Sequence, residues 1–167
     1  MKHLYFFLLI ALFFTSQSCQ KEKQEEVQVQ EYAEEHKGHS HANEGGCAHC
    51  GMDYTMHPKW KASFESPEKG TLMFCSNRCM LLTSIKEKDQ LGEISGIQVQ
   101  DYYDLKTIDG QSAFYVTGSD VLGPMGHDFV PFSSKEAAEE FMKDHSGKNI
   151  YSFEEVTMEV ITSVINQ

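Results

Sequence analysis

Two close pairs of cysteines are the residues of this sequence best suited to chemistry. Cys47-Ala48-His49-Cys50 is a C-x2-C and Cys75-Ser76-Asn77-Arg78-Cys79 a C-x3-C, with residues 51–74 between them. Chance rarely pairs four cysteines in this way. Cysteines so spaced can close two disulfides in an exported chain, or offer four thiolates to Zn(II). A third reading buries Cys79 on the core face of a helix, which leaves Cys47 and Cys50 without a role. Methionines shift the balance. Met52 follows Cys50-Gly51 directly, and Met56-His57 comes soon after. Far along the chain, Gly123-Pro124-Met125-Gly126-His127 presents a methionine in a rigid turn whose glycines supply no side-chain wall. A thioether adds little to a zinc site, whereas thiolate and thioether together form a soft set that selects Cu(I). Met73, Met80, Met142 and Met158 fit strand or helix packing and are expected in the core.

The elements that must position these groups follow from periodicity and turn residues. Residues 60–64 and 71–75 have strand character around the turn-rich segment Glu65-Ser66-Pro67-Glu68-Lys69-Gly70. Ser76 can cap a helix from Asn77 to about Lys88, with Leu81, Leu82 and Ile85 inward. That cap puts Cys79 in the first helical turn and Cys75 just before it. Free N–H groups and the positive end of the macrodipole favour a thiolate there. Residues 97–103 and 112–117 are expected strands around a turn at Asp109-Gly110, and 129–132 a short apolar one. Ser133 with Glu136 reads as a capping box for a helix to about His145, stopped by Gly147. A strand near 148–151 and a helix over 153–164 complete the chain. Hairpins followed by helices predict an α+β fold, a mainly antiparallel sheet built from ββα-type units with helices packed on it. No internal repeat shows at the level of sequence identity.

The whole chain has 167 residues, 40% of them hydrophobic, with 14 Lys+Arg against 25 Asp+Glu and a formal charge of −11. That is enough for one domain with a core and too short for two large ones. The acidic balance argues against nucleic acid as a partner, because a phosphate backbone needs a basic surface. Residues 1–18 read as a secretory signal, with Lys2 before the uncharged run Leu4–Phe14. The run is shorter than the about 20 residues a membrane-spanning helix needs. Ser16-Gln17-Ser18-Cys19 resembles a bacterial lipoprotein processing site. It makes Cys19 the lipidated residue of a protein anchored in the cell envelope and facing the periplasm. Residues 19–46 are rich in Lys, Glu and Gln and too poor in apolar area to offset their ordering entropy, so a flexible tether is expected. Within it His36, His39 and His41 form either a solvated polar patch or a loose metal-gathering tract. Residues 47–167 are the expected metal-binding domain. No βαβ pattern surrounds Cys47 and Cys50, which disfavours a thiol oxidoreductase. No Ser-His-Asp grouping, phosphate loop or carboxylate pair falls at defined spacing either, and the sequence reads as a binding protein and not an enzyme.

Cys47-Ala48-His49-Cys50-Gly51-Met52, Pro58-Lys59-Trp60, Phe74-Cys75-Ser76 with Cys79-Met80, Phe114-Tyr115-Val116 with Gly118-Ser119, Gly123-Pro124-Met125-Gly126, Pro131-Phe132-Ser133 and Phe141 resemble the NosL family in order and spacing. The resemblance covers about residues 46–157. It implies an exported Cu(I)-binding lipoprotein, a copper chaperone for maturation of nitrous oxide reductase, whose apoprotein would be the partner. It also implies a fold akin to the metal-binding part of organomercurial lyases. Carried over by motif, Cys50, Met52 and Met125 are the primary copper ligands. Cys47, Cys75, Cys79 and His127 stand as secondary candidates. The second cysteine pair also resembles short metal-trafficking modules. That leaves an alternative: a zinc- or copper-binding module in trafficking or resistance, with no reductase partner.

Overall fold

Residues 45–167 are described by the structure, a computed structural model. The apolar run Leu4–Phe14, Cys19 and the histidines at 36, 39 and 41 lie outside the described residues. Among the described residues no helix is long and apolar enough to cross a membrane.

Strands β1 (Ala62–Ser66) and β2 (Gly70–Phe74) form an antiparallel hairpin in the register Ala62↔Phe74 to Ser66↔Gly70. The Ser66 hydroxyl closes its turn, accepting from the N–H groups of Glu68 and Lys69 and donating to the Leu91 carbonyl at 2.7 Å. Helix α1 (Asn77–Lys86) follows, then the short α2 (Lys88–Leu91). The chain returns as β3 (Ser95–Gln100) along the free edge of β1, and β4 (Thr107–Asp109) pairs with β3. The resulting sheet has the order β2-β1-β3-β4, antiparallel throughout.

A second sheet repeats the plan. Strand β5 (Phe114–Thr117) lies between β6 (Val130–Phe132) and β7 (Asn149–Ser152), and helix α3 (Lys135–Asp144) joins β6 to β7. Both β1-β2-α1-β3 and β5-β6-α3-β7 are thus ββαβ units with the first strand in the centre. Helix α4 (Met158–Ile165) packs against α1. The α+β, antiparallel expectation holds. The repeat is one of topology, which is why sequence identity does not reveal it.

Two apolar clusters hold these layers. The larger contains Phe64, Phe74, Met80, Leu81, Tyr115, Phe129 and Ile161, together with Cys47, Cys75 and Cys79. The Phe64 and Phe74 rings lie 5.0 Å apart across the hairpin, a contact worth about 0.5–1.5 kcal/mol beyond its area burial. The smaller is built on Val116, Val130, Phe132, Ala138 and Phe141.

Several expected boundaries move for local reasons. Trp60 lies outside β1 and packs on the smaller cluster. β3 ends before Asp101, whose carboxylate accepts the N–H groups of Tyr103 and Asp104 and turns the chain. Helix α3 is capped by Ser134, not Ser133: the Ser134 hydroxyl accepts from Ala137 N–H, while Ser133 gives its own N–H to Asp101. The helix expected over 153–164 breaks into a 3-10 turn (Phe153–Glu155) and α4, because Val156 is extended and Thr157 caps anew. Met80 is in the core as expected, but Met73 lines a groove with Ser63, Glu65 and Gln98 on the outer face of the first sheet.

Candidate metal centre

The segment 46–53 folds back on itself, with a bridge between Gly46 and Asp53 at its base. Cys47 N–H donates to the Met52 carbonyl at 2.7 Å, and Gly51 N–H to the Cys47 carbonyl at 2.8 Å. Gly51 has φ +76, and a Cβ there would meet nothing within 4 Å. The left-handed backbone, not crowding, is what requires glycine at this place in C-G-M. Ala48 N–H donates to the Met73 carbonyl at 2.8 Å, which docks the loop on β2. His49 projects from the same loop to α1, its Nδ1 lying 3.2 Å from the Thr83 hydroxyl.

The second pair sits where β2 passes into α1. Cys75 follows the strand directly, and the Ser76 hydroxyl accepts from Cys79 N–H at 3.1 Å, as a cap should. The hairpin brings this junction under the folded-back loop. All four sulfur atoms lie within 4.8 Å of one another. Cys50 Sγ and Cys75 Sγ are 3.5 Å apart, and Cys75 Sγ and Cys79 Sγ 3.9 Å. A tetrahedral ion with metal–sulfur bonds of about 2.3 Å has sulfur–sulfur edges of about 3.8 Å, so this donor set fits a single thiophilic ion. Cys47, Cys75 and Cys79 are 4%, 0% and 2% exposed, whereas Cys50 faces solvent. All four are free thiols.

Crowding four thiols together makes their protonation unequal. Hydrogen bonding from the Cys79 side chain, helped by the N–H groups of Cys75, Cys50 and His49, holds the Cys47 thiol well below its ordinary value against the cost of burial. Cys79 is pushed up, first by that same bond to Cys47 and then by burial. Cys75 is pushed up chiefly by burial. Of these buried thiols Cys47 is thus the most readily ionised, and a bound ion must displace the protons of the others.

Of the candidates read from the sequence, the structure brings Cys47, Cys50, Cys75 and Cys79 into one cluster. Met52 and Met125 are half-buried and pack against the core cluster that holds three of these cysteines. The Met125 loop is tied to the cysteine helix by the Arg78 guanidinium, which donates to the carbonyls of Met125 and His127. For His127, the group so engaged is the backbone carbonyl. Three residues of this site escaped the sequence reading: His49, Arg78 and Asp128. Asp128 is buried, and its Oδ1 accepts from Arg78 N–H at 2.7 Å. Burial raises its carboxyl to about 6, with the N–H groups of Phe129 and Arg78 opposing. Only Arg78 left a signal, a cation in the first turn of a helix, where the dipole disfavours it.

A pair of cysteine motifs in a fold of two ββαβ units has a counterpart among known sequences. The sequence model of the NosL family matches residues 39–161. The chain belongs to the NosL family. Among solved structures, the crystal structure of the copper chaperone NosL from Shewanella denitrificans matches with a TM-score of 0.61 at 26% identity, covering 72% of this chain and 97% of that one. The solution structure of apo-NosL from Achromobacter cycloclastes also matches at 26% identity, with a TM-score of 0.45, covering 60% of this chain and 87% of that one. No curated protein matches by sequence. Within the NosL fold of this chain, the four cysteines form a group that can hold a metal ion.

Proposed function

We propose that this protein is an exported, Cu(I)-binding lipoprotein that carries copper to nitrous oxide reductase during its maturation. Copper is cargo in this reading, and the protein carries it without catalysing a reaction. The observation that carries the proposal is a four-thiol cluster inside a NosL fold, with two methionines packed on the same core. Thiolates and thioethers are the donors Cu(I) prefers. Cys50 and Met52 of C-G-M and Met125 of P-M-G supply the soft ligands, with Cys47, Cys75 and Cys79 completing the cluster. The name of the Shewanella protein, a copper chaperone, supports the same direction. Lipidation at Cys19 would hold the carrier at the membrane, facing the periplasm, where the apo-reductase would receive its metal.

One observation favours a second reading. Sulfur–sulfur spacings of 3.5 and 3.9 Å suit a tetrahedral four-thiolate ion, so Zn(II) in a trafficking or resistance module is the alternative. Competition titrations of anaerobically reduced protein, with a Cu(I) chelator and separately with a zinc indicator, decide between them. The copper reading expects Met52→Ala and Met125→Ala to weaken Cu(I) binding. The zinc reading expects both to be silent and any cysteine loss to release zinc.

A further inference from the structure

Arg78 stands between two cluster cysteines in the first turn of α1, where the positive end of the helix dipole disfavours a cation. Helix formation therefore does not account for it. Its side chain donates from Nη1 to the His127 carbonyl at 3.0 Å and from Nη2 to the Met125 carbonyl. Its own N–H donates to Asp128 Oδ1 at 2.7 Å, and Asn77 Nδ2 donates to the Phe129 carbonyl at 3.0 Å. The stretch from Met125 to Phe129 is thus fastened along the start of the cysteine helix. The loop above it is a tight one: Gly123 N–H donates to the Gly126 carbonyl at 2.8 Å and Gly126 N–H to the Gly123 carbonyl at 3.1 Å. Pro124 and Met125 form its tip. Among the described residues, the guanidinium is the side chain that hydrogen-bonds this tip.

We propose that Arg78 is the positioning residue of the metal centre: its grip on the Met125 and His127 carbonyls holds the Met125 thioether beside the cysteine cluster and tilts the site toward soft Cu(I). The inference rests on the reading of Met125 as a copper ligand. A planar two-donor fork suits two carbonyls; lysine, a point charge on a flexible stem, would reach one and leave the loop free to pivot.

Two measurements test this on the reduced protein. The first follows methionine methyl signals by NMR in the metal-free state. Arg78→Ala should send the Met125 methyl to the position of a freely rotating methionine and leave Met80 in place. The second compares Cu(I) and Zn(II) affinities. Arg78→Ala should lose about tenfold or more in Cu(I) affinity, as supporting residues around a metal typically do. Met125→Ala should lose a similar factor, and the double variant should fall no further. Zn(II) affinity should stay within about threefold of the parent, and Arg78→Lys should fall between parent and alanine for Cu(I). An unmoved Met125 methyl, additive losses, or equal losses for both metals that lysine restores would overturn the inference and make Arg78 a charge or fold residue. If the methyl moves but Met125→Ala leaves Cu(I) binding untouched, it is the ligand reading of Met125 that fails. Arg78 is then an anchor of the loop with no part in metal binding.

Discussion

At the strand-to-helix junction of the first ββαβ unit stands Cys75; at the same place in the second stands Ser133. Aligned on their caps, Phe74-Cys75-Ser76 corresponds to Phe132-Ser133-Ser134, and Cys79 to Ala137. Each cap accepts the N–H three residues on, at 3.1 Å from Cys79 and 3.2 Å from Ala137. Each junction also receives a buried aspartate from the other unit. Asp128, just before β6, takes Arg78 N–H; Asp101, just after β3, takes Ser133 N–H at 2.8 Å. The backbone plan is shared, and the chemistry is a matter of which side chains it carries. In the first unit the junction meets the Cys47–Cys50 loop and becomes a donor cluster. In the second, Phe132, Phe141 and Tyr102 pack together and no thiol is present. The thiol cluster is thus an addition to a junction whose counterpart in the second unit serves folding alone.

If the units divide labour in this way, core damage to one and ligand loss in the other should separate. Phe141 is fully buried, with its ring 4.9 Å from those of Phe132 and Tyr102. Phe141→Ala should cost about 3–5 kcal/mol in urea unfolding, with metal affinity of the folded protein unchanged. Cys75→Ser should do the opposite: a loss of roughly 100-fold in metal affinity at a smaller cost in apo stability. The converse graft sharpens the point. Ser133→Cys with Ala137→Cys restores two thiols to the second junction but no facing C-x2-C loop, so mass spectrometry of the loaded protein should find no added tightly bound ion. A second bound ion would mean that the helix start alone suffices.

The two aspartates give the next contrast. Asp101 uses both oxygens, and hydrogen bonds from Asp104, Ser133 and Tyr103 outweigh burial and lower its carboxyl. Asp128 uses only Oδ1 and leaves Oδ2 buried without a partner, so burial wins and its carboxyl rises to about 6. Their linkages to pH run in opposite directions. Asp101 contributes stability that is present above the unfolded value near 3.8 and lost as pH falls through its lower folded value. Asp128 contributes stability that is full below 3.8 and lost as pH rises through about 6, a swing on the order of 2–3 kcal/mol. Asp128→Asn should flatten the stability profile between pH 4 and 6, while Asp101→Asn should destabilise at neutral pH by about 2 kcal/mol. Urea midpoints measured across that range would show it. An unchanged slope in Asp128→Asn would indicate that water reaches Oδ2.

How much of this was legible depends on how far apart the interacting residues are. The cysteine spacing, the Ser76 cap and the β1–β2 hairpin are local features, and all three were readable. That the two cysteine pairs meet follows from the hairpin register, which spacing suggests but does not fix. The bonds from Arg78 to Asp128 and to the carbonyls of Met125 and His127, and those from Asp101 to Ser133 and from His49 to Thr83, join distant segments and follow no periodicity. β4 has three residues, too few for an alternation to register. Ser134 caps α3 while Ser133 gives its N–H to Asp101, a tertiary contact with no trace in the capping-box pattern. The repeat itself is hidden because matching positions such as Cys75 and Ser133 serve unlike ends.

The smallest expected effect compares the caps. Ser76 and Ser134 satisfy the same orphan N–H of their helices, and loss of such a cap ordinarily costs about 1 kcal/mol. Their surroundings differ: Ser76 is fully buried, whereas Ser134 is half-exposed. When Ser134 becomes alanine, water can take over the freed Ala137 N–H, and the cost should stay near 1 kcal/mol or below. When Ser76 becomes alanine, the Cys79 N–H is left inside the core, so the cost should approach about 2 kcal/mol. Metal loading should narrow this gap, because a metal-bound thiolate keeps its negative charge and offers the stranded N–H an acceptor. Urea unfolding of both variants, metal-free and loaded, makes the comparison. Equal costs in the metal-free protein would mean that the α1 junction is as wet as the α3 junction. A gap that persists on loading would mean that the cluster's sulfur atoms do not turn toward the helix start when the ion binds.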